Sequence, residues 1–104
     1  MGADSFRITH SRGKTAKEAF AAAREEAQYE HGHGGYSGTI AEKHSFTVIP
    51  LPKDTDPMLE VERLIDEDDE RIQDKWGPAG CIDLGKDPVH PALRRYLFFG
   101  WASS

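Results

Sequence analysis

The chain is short of cysteine, of long apolar runs and of excess positive charge. Cys81 is the single cysteine in 104 residues, which excludes an internal disulfide framework and any all-cysteine zinc site. No apolar run approaches the ~18–20 residues that span a bilayer, and the first residues carry no apolar stretch of signal-peptide type. A soluble, cytoplasmic protein without a membrane partner is therefore expected. The net charge is −5, and residues 54–75 account for the excess with ten Asp/Glu against three Lys/Arg. That distribution argues against broad electrostatic binding to nucleic acid. It leaves room for a small anionic ligand, because a local field can oppose the net charge.

What remains is a globular composition. Hydrophobic residues make up 38% and aromatic residues 10% of the chain, enough apolar surface to offset the entropy of ordering. The length fits one domain, residues 1–104, with a single thin core.

The polar/apolar alternation of Ser5-Phe6-Arg7-Ile8-Thr9 predicts a first strand, and His10-Ser11-Arg12-Gly13-Lys14 a short turn. Thr15-Ala16-Lys17-Glu18 has capping-box spacing. Ala16, Ala19, Phe20, Ala23 and Ala27 then follow at helical spacing, so a helix is expected from about Thr15 to His31, ended by Gly32. Its alanine stripe allows close approach to a sheet. A second strand is expected over 43–49, closed by Pro50 and Pro52. Asp56-Pro57 reads as an N-cap with proline at the first helical position, and Met58, Val61, Leu64 and Ile65 give the stripe of a second helix. The run 66–70 ends or interrupts that helix, and Ile72 and Trp76 indicate a further turn, with Trp76 anchoring it. Gly77-Pro78-Ala79-Gly80 breaks the chain before strands over 81–84 and 94–101.

The expected fold is α+β in the order β-α-β-α-β-β, a sheet of about four strands with two helices on one face. The last strand is apolar on both sides: Tyr96 and Phe98 point one way, Leu97, Phe99 and Trp101 the other. Either it is central with both faces covered, or Leu97, Phe99 and Trp101 form the contact of a homo-oligomer.

Two segments carry chemistry. The turn before the first helix is not a phosphate-binding loop of the G-x-x-x-x-G-K-[ST] type, since Ile8 stands where its first glycine belongs. Arg12, Lys14 and Lys17 nonetheless sit at the positive end of a helix, where cations are unfavourable unless an anion is bound. The second segment, His31-Gly32-His33-Gly34-Gly35-Tyr36-Ser37-Gly38-Thr39, combines backbone freedom with hydrogen-bonding side chains. Its glycines permit close approach to a ligand, His31, His33, Ser37 and Thr39 supply polar groups, and Tyr36 offers a ring to stack on a base. The segment lacks a G-x-S-x-G elbow. His31-x-His33 is a pair of possible metal ligands that would need His10, His44, His90 or Cys81 to complete a site. The acidic segment reads as the solvated face of a helix, and Cys81 as a buried small apolar residue.

The stretch Tyr29 to Lys43, with its His-Gly-His-Gly-Gly-Tyr-Ser-Gly-Thr-Ile core, and Lys75-Trp76-Gly77-Pro78-Ala79-Gly80-Cys81 resemble small proteins of bacteriophages and their actinobacterial hosts. The resemblance brings no established activity and no catalytic residue. It implies the company of phage accessory factors that counter host defence, some by sequestering nucleotide signals.

The sequence thus predicts a non-enzymatic protein without a cofactor that binds a phosphate-bearing nucleotide through Arg12, Lys14, His31, His33, Gly34, Gly35, Tyr36, Ser37, Gly38 and Thr39. Two alternatives remain open: a metal-assisted hydrolase using His31 and His33, and a protein-binding inhibitor using the acidic helix or the apolar last strand.

Overall fold

The computed structural model describes residues 2–32 and 36–104, apart from the side chain of His10. Four strands and two helices follow one another as β1 (Ala3–Gly13), α1 (Ala16–His31), β2 (Phe46–Val48), α2 (Pro57–Asp66), β3 (Ala79–Lys86) and β4 (Arg94–Ser103), with a single 3-10 turn over Ile40–Glu42. The sheet order is β1-β4-β3-β2. β4 runs antiparallel to both of its neighbours, and β2 is parallel to β3. The fold is α+β with a mixed sheet.

The helices do not share a face. Ala19, Phe20, Ala23 and Ala27 of α1 pack with Phe6, Cys81, Tyr96 and Phe98. Val61, Leu64 and Ile65 of α2 pack with Ile82, Leu97 and Phe99, the residues of opposite parity on the same strands. The connectivity explains this. The crossover from β1 to β2 and the crossover from β2 back to β3 travel in opposite directions across the sheet. Keeping both in the favoured right-handed sense places their helices on opposite sides. The expectation of two helices on one face is corrected accordingly.

β4 is therefore a central strand with both faces covered. Leu97 is 1% and Phe99 0% exposed within a single chain, so these two are covered without a second copy, while Trp101 is partly exposed. α1 approaches closely because its inner stripe is alanine, and Phe20 closes an aromatic cluster with Phe46 and Phe98 at centroid distances of 5.0 and 5.5 Å.

Local signals for the helices act as read. The Thr15 side chain accepts from the Glu18 amide, and the Gly32 amide, at φ 78°, closes α1 on the Gln28 carbonyl. The Asp56 carboxylate accepts from the Met58 and Leu59 amides to start α2. β1, β3 and β4 run longer than their alternation indicates, whereas β2 keeps only Phe46–Val48 of the strand expected over 43–49. His10 to Gly13 is not a turn but the continuation of β1 past a bulge, still paired to β4 as far as Gly13 and Arg94. Gly13 lies where a Cβ would meet the Ala19 amide nitrogen at 2.7 Å, so glycine lets the end of β1 pass under α1. Ala79-Gly80 belongs to β3 rather than to a breaker. A Cβ at Gly80 would stand 2.6 Å from the Phe99 ring. Past α2 one further turn closes as expected, the Ile72 and Gln73 amides donating to the Asp69 carbonyl at 3.0 and 2.9 Å; Ile72 is buried, while Trp76 is 58% exposed and does not anchor α2.

Candidate functional site

β1, β2 and β3 point the same way, so their carboxyl ends and the amino ends of both helices lie at one end of the sheet. The segment between α1 and β2 lies at the other. The Gly38 amide donates to the Ser103 carbonyl at 2.8 Å, beside Asp4, which pairs with Ala102. Arg12 pairs instead with Arg95. Eight residues of strand separate Asp4 from Arg12, roughly 25 Å at ~3.3 Å per residue. Arg12 and Lys14 therefore do not converge with Ser37, Gly38 and Thr39.

Among the residues of that segment, His33, Gly34 and Gly35 lie outside the described residues. Ser37, Gly38 and Thr39 are engaged in building the chain turn. The Ser37 amide and hydroxyl both donate to Glu42 Oε2, at 3.1 and 2.8 Å. Thr39 Oγ1 accepts from the Ala41 amide. Burial would raise the Glu42 carboxyl, but hydrogen bonds from the Ser37 side chain and from the Ser37 and Tyr36 amides, with His44 nearby, hold it below the ordinary glutamate value. Tyr36, at φ 57°, is half exposed and meets the exposed Trp76 edge-on at 6.0 Å. Lys43, unremarked in the sequence, is 1% exposed and donates to the carbonyls of Asp74, Lys75 and Gly77, which locks the Trp76 segment onto this end.

His31 and Thr39 do come together. Both line a groove of about 290 Å³ between β1 and α1, but Glu26 and Glu30 line it as well, and its one arginine, Arg7, is ion-paired to Glu62, which makes it a poor place for a phosphate. No group of three His, Cys, Asp or Glu side chains among the described residues is placed to hold a metal ion. Cys81 is fully buried, and its thiol is pushed up to about 12 by desolvation, with Asp83 adding to the rise; it is neither ligand nor nucleophile.

The other end is chemically richer than the sequence reading allowed. Arg12 on β1 stands directly opposite Arg95 on β4, and residues opposite one another in an antiparallel pair present their side chains on the same face. On the far side of Arg95 its partner is Gly85 of β3, where a Cβ would meet nothing within 4 Å. Asp87, 3% exposed, faces Arg12 with its Oδ2 at 3.3 Å from Nε. Its other oxygen accepts from the Val89 and His90 amides at 2.8 and 3.0 Å. The His90 amide chiefly, then the Val89 amide and Arg12, holds this carboxyl below the ordinary aspartate value against the cost of burial. Arg12, Asp87, Pro88, Val89 and Arg95 line a shallow cleft of about 240 Å³. Lys14 is exposed at the adjoining turn. Two like charges set directly opposite on a sheet are unfavourable without a counter-charge.

Sequence reading singled out Arg12 and Lys14 but missed Arg95 and Asp87. Their signal is the register of β1 on β4, which the unrecognised bulge after Ile8 concealed. No helix among the described residues is long and apolar enough to cross a membrane. No family model matches this chain, no curated protein matches it, and no solved structure matches it.

Proposed function

We propose that the chain is a non-enzymatic binding protein for a small phosphate-bearing ligand, held at the carboxyl end of β1 by Arg12 and Arg95. The observation that carries this reading is the direct cross-strand pairing of the two arginines. A phosphate beside them would accept charge-assisted hydrogen bonds from planar donor groups. Arg12 meets Asp87 through Nε at 3.3 Å, and its side chain is about half exposed. Asp87 then acts as a positioning residue that fixes Arg12. Binding without turnover suits a sequestering role of the kind the phage resemblance implies.

Native mass spectrometry against a mixed nucleotide pool, followed by calorimetry on the species retained, tests the assignment. Retention of a phosphate-bearing species is expected, with affinity falling at least ~10-fold in Arg12→Ala and in Arg95→Ala, because each removes a charge-assisted contact. Full affinity in both variants, or no retained ligand, overturns it.

A further inference from the structure

Among the described residues β1 is an outer strand of the sheet, with β4 as its neighbour. Gly2 and Ser104 exchange both backbone hydrogen bonds, at 3.2 and 3.1 Å, and the register runs unbroken from Ala3 opposite Ser103 to Ile8 opposite Phe98. In an antiparallel ladder, residues bonded to the neighbour alternate with residues whose N–H and C=O point away from it. Ala3, Ser5 and Arg7 therefore direct both backbone groups outward, past the edge of the sheet. The groove of about 290 Å³ between β1 and α1 includes Arg7 and Ile8 on one side, Glu26 and Glu30 on the other. We propose that this edge accepts an extended segment of a partner protein as an added strand, and that Glu26 and Glu30 select a segment with basic residues at alternate positions. The surface is separate from the arginine pair and does not depend on a ligand there.

Outward backbone groups make an edge a template for a further strand. Proline, which would blunt the edge, is absent from β1, and the bulge that interrupts β1 begins only past Ile8. Parity then places the partner's side chains. Phe6 packs against α1 with Ile8 beside it, and residues opposite one another across a ladder present their side chains on the same face. The partner residues opposite Phe6 and Ile8 therefore point to the α1 side, two positions and ~6.6 Å apart. Glu26 and Glu30 are both exposed and stand one helical turn apart, ~6 Å. Ala23 and Ala27 belong to the same lining. They are small enough for an aliphatic stem to lie across them, so a lysine or arginine can bring its charged head to each carboxylate. Glu30 meets His31 at 4.0 Å, too far for a hydrogen bond, and Arg7 is held by Glu62 of α2. A second copy of this chain suits the edge less well, because Arg7 is the one lysine or arginine between Ala3 and Ile8 of β1.

Calorimetry and amide hydrogen exchange on the full chain, with the peptide acetyl-Thr-Lys-Val-Lys-Thr-Val-amide, test the proposal. The peptide is expected to bind at least ~10-fold tighter than its counterpart with glutamate in place of both lysines, because like charges across an interface repel. Exchange at the Ala3, Ser5 and Arg7 amides should slow in the complex. Glu26→Gln and Glu30→Gln keep the shape of exposed side chains, and each should weaken the peptide about threefold, as the loss of a solvent-exposed ion pair does. Unchanged affinity in both variants overturns selection by the carboxylates. Binding that leaves the three amides exchanging as before overturns strand addition, since charge alone then holds the peptide. Protection of those amides in a free protein of twice the chain mass assigns the edge to a second copy and overturns the proposal, as does absence of binding.

Discussion

The Lys43 ammonium donates to the Gly77 carbonyl at 2.9 Å, joining segments 34 residues apart. It donates as well to the carbonyls of Asp74 and Lys75, which gives a buried cation three acceptors in place of a carboxylate. Lys43→Met keeps the stem and removes every donor, leaving three carbonyls to find water in a covered site. A loss of about 2–4 kcal/mol in urea unfolding is expected, since each unsatisfied buried group costs about 1–3 kcal/mol and part of the cost of burying the charge is recovered.

The same lysine gives stability a pH dependence. Burial lowers its pKa, Asp74 opposing, so the folded protein releases the proton at a lower pH than the unfolded chain does. Between the depressed value and the ordinary lysine value the unfolded state holds more protons, and stability from this group rises with pH, complete above the ordinary value. Lys43→Met should lack that rise when the two proteins are compared by unfolding across the alkaline range.

Gly38 and Gly32 both adopt positive φ, at 73° and 78°, but only Gly38 is crowded. A Cβ there would meet Asp4 Oδ2 at 2.7 Å, whereas one on Gly32 would meet nothing within 4 Å. Gly32→Ala should cost the backbone strain alone, about 1–3 kcal/mol. Gly38→Ala should cost more, because Asp4 and the chain end must move. Thermal unfolding of the two variants tests the order, and a Gly38→Ala protein as stable as Gly32→Ala would show that Asp4 yields freely.

The helices were legible because their signals are local. Thr15 and Asp56 cap, Gly32 stops, and the alanine stripe of α1 shows its inner face within two turns of chain. The sides of the sheet on which they lie were not legible, because that depends on the strand order β1-β4-β3-β2, fixed by pairings between residues as distant as Ala3 and Ser103. The site divides in the same way. Arg12 stands out by its place before a helix, while Arg95 acquires meaning only through its partner across the strand. The glycine-rich segment misled for a physical reason. Hydroxyls and glycines that suit a ligand also suit a tight turn, and Ser37, Gly38 and Thr39 are satisfied by Glu42, Ser103 and Ala41.

Asp69 gives an acid-side test independent of the site. The Arg71 side chain, with help from its amide, holds this carboxyl at about 2 despite an opposing burial cost. A depressed folded value means stability that is present above the ordinary aspartate value and is lost as pH falls towards about 2. NMR titration should find Asp69 near that value, returning most of the way towards 3.8 in Arg71→Gln. The accompanying loss of stability at neutral pH should stay below about 1 kcal/mol, because the pair is partly solvated and screened.

Tyr36 decides between the two ends of the molecule. Its ring meets Trp76 at 83°, and both side chains are more than half exposed, at 52% and 58%, so Tyr36→Ala should lower stability by no more than about 1 kcal/mol. Trp76 fluorescence should change as its neighbour disappears. Phosphate-ligand affinity should not, because the arginine pair lies at the opposite end of β1. A Tyr36→Ala protein that folds and loses its ligand would move the site to the segment between α1 and β2, and would release Arg12 and Arg95 from any part in binding.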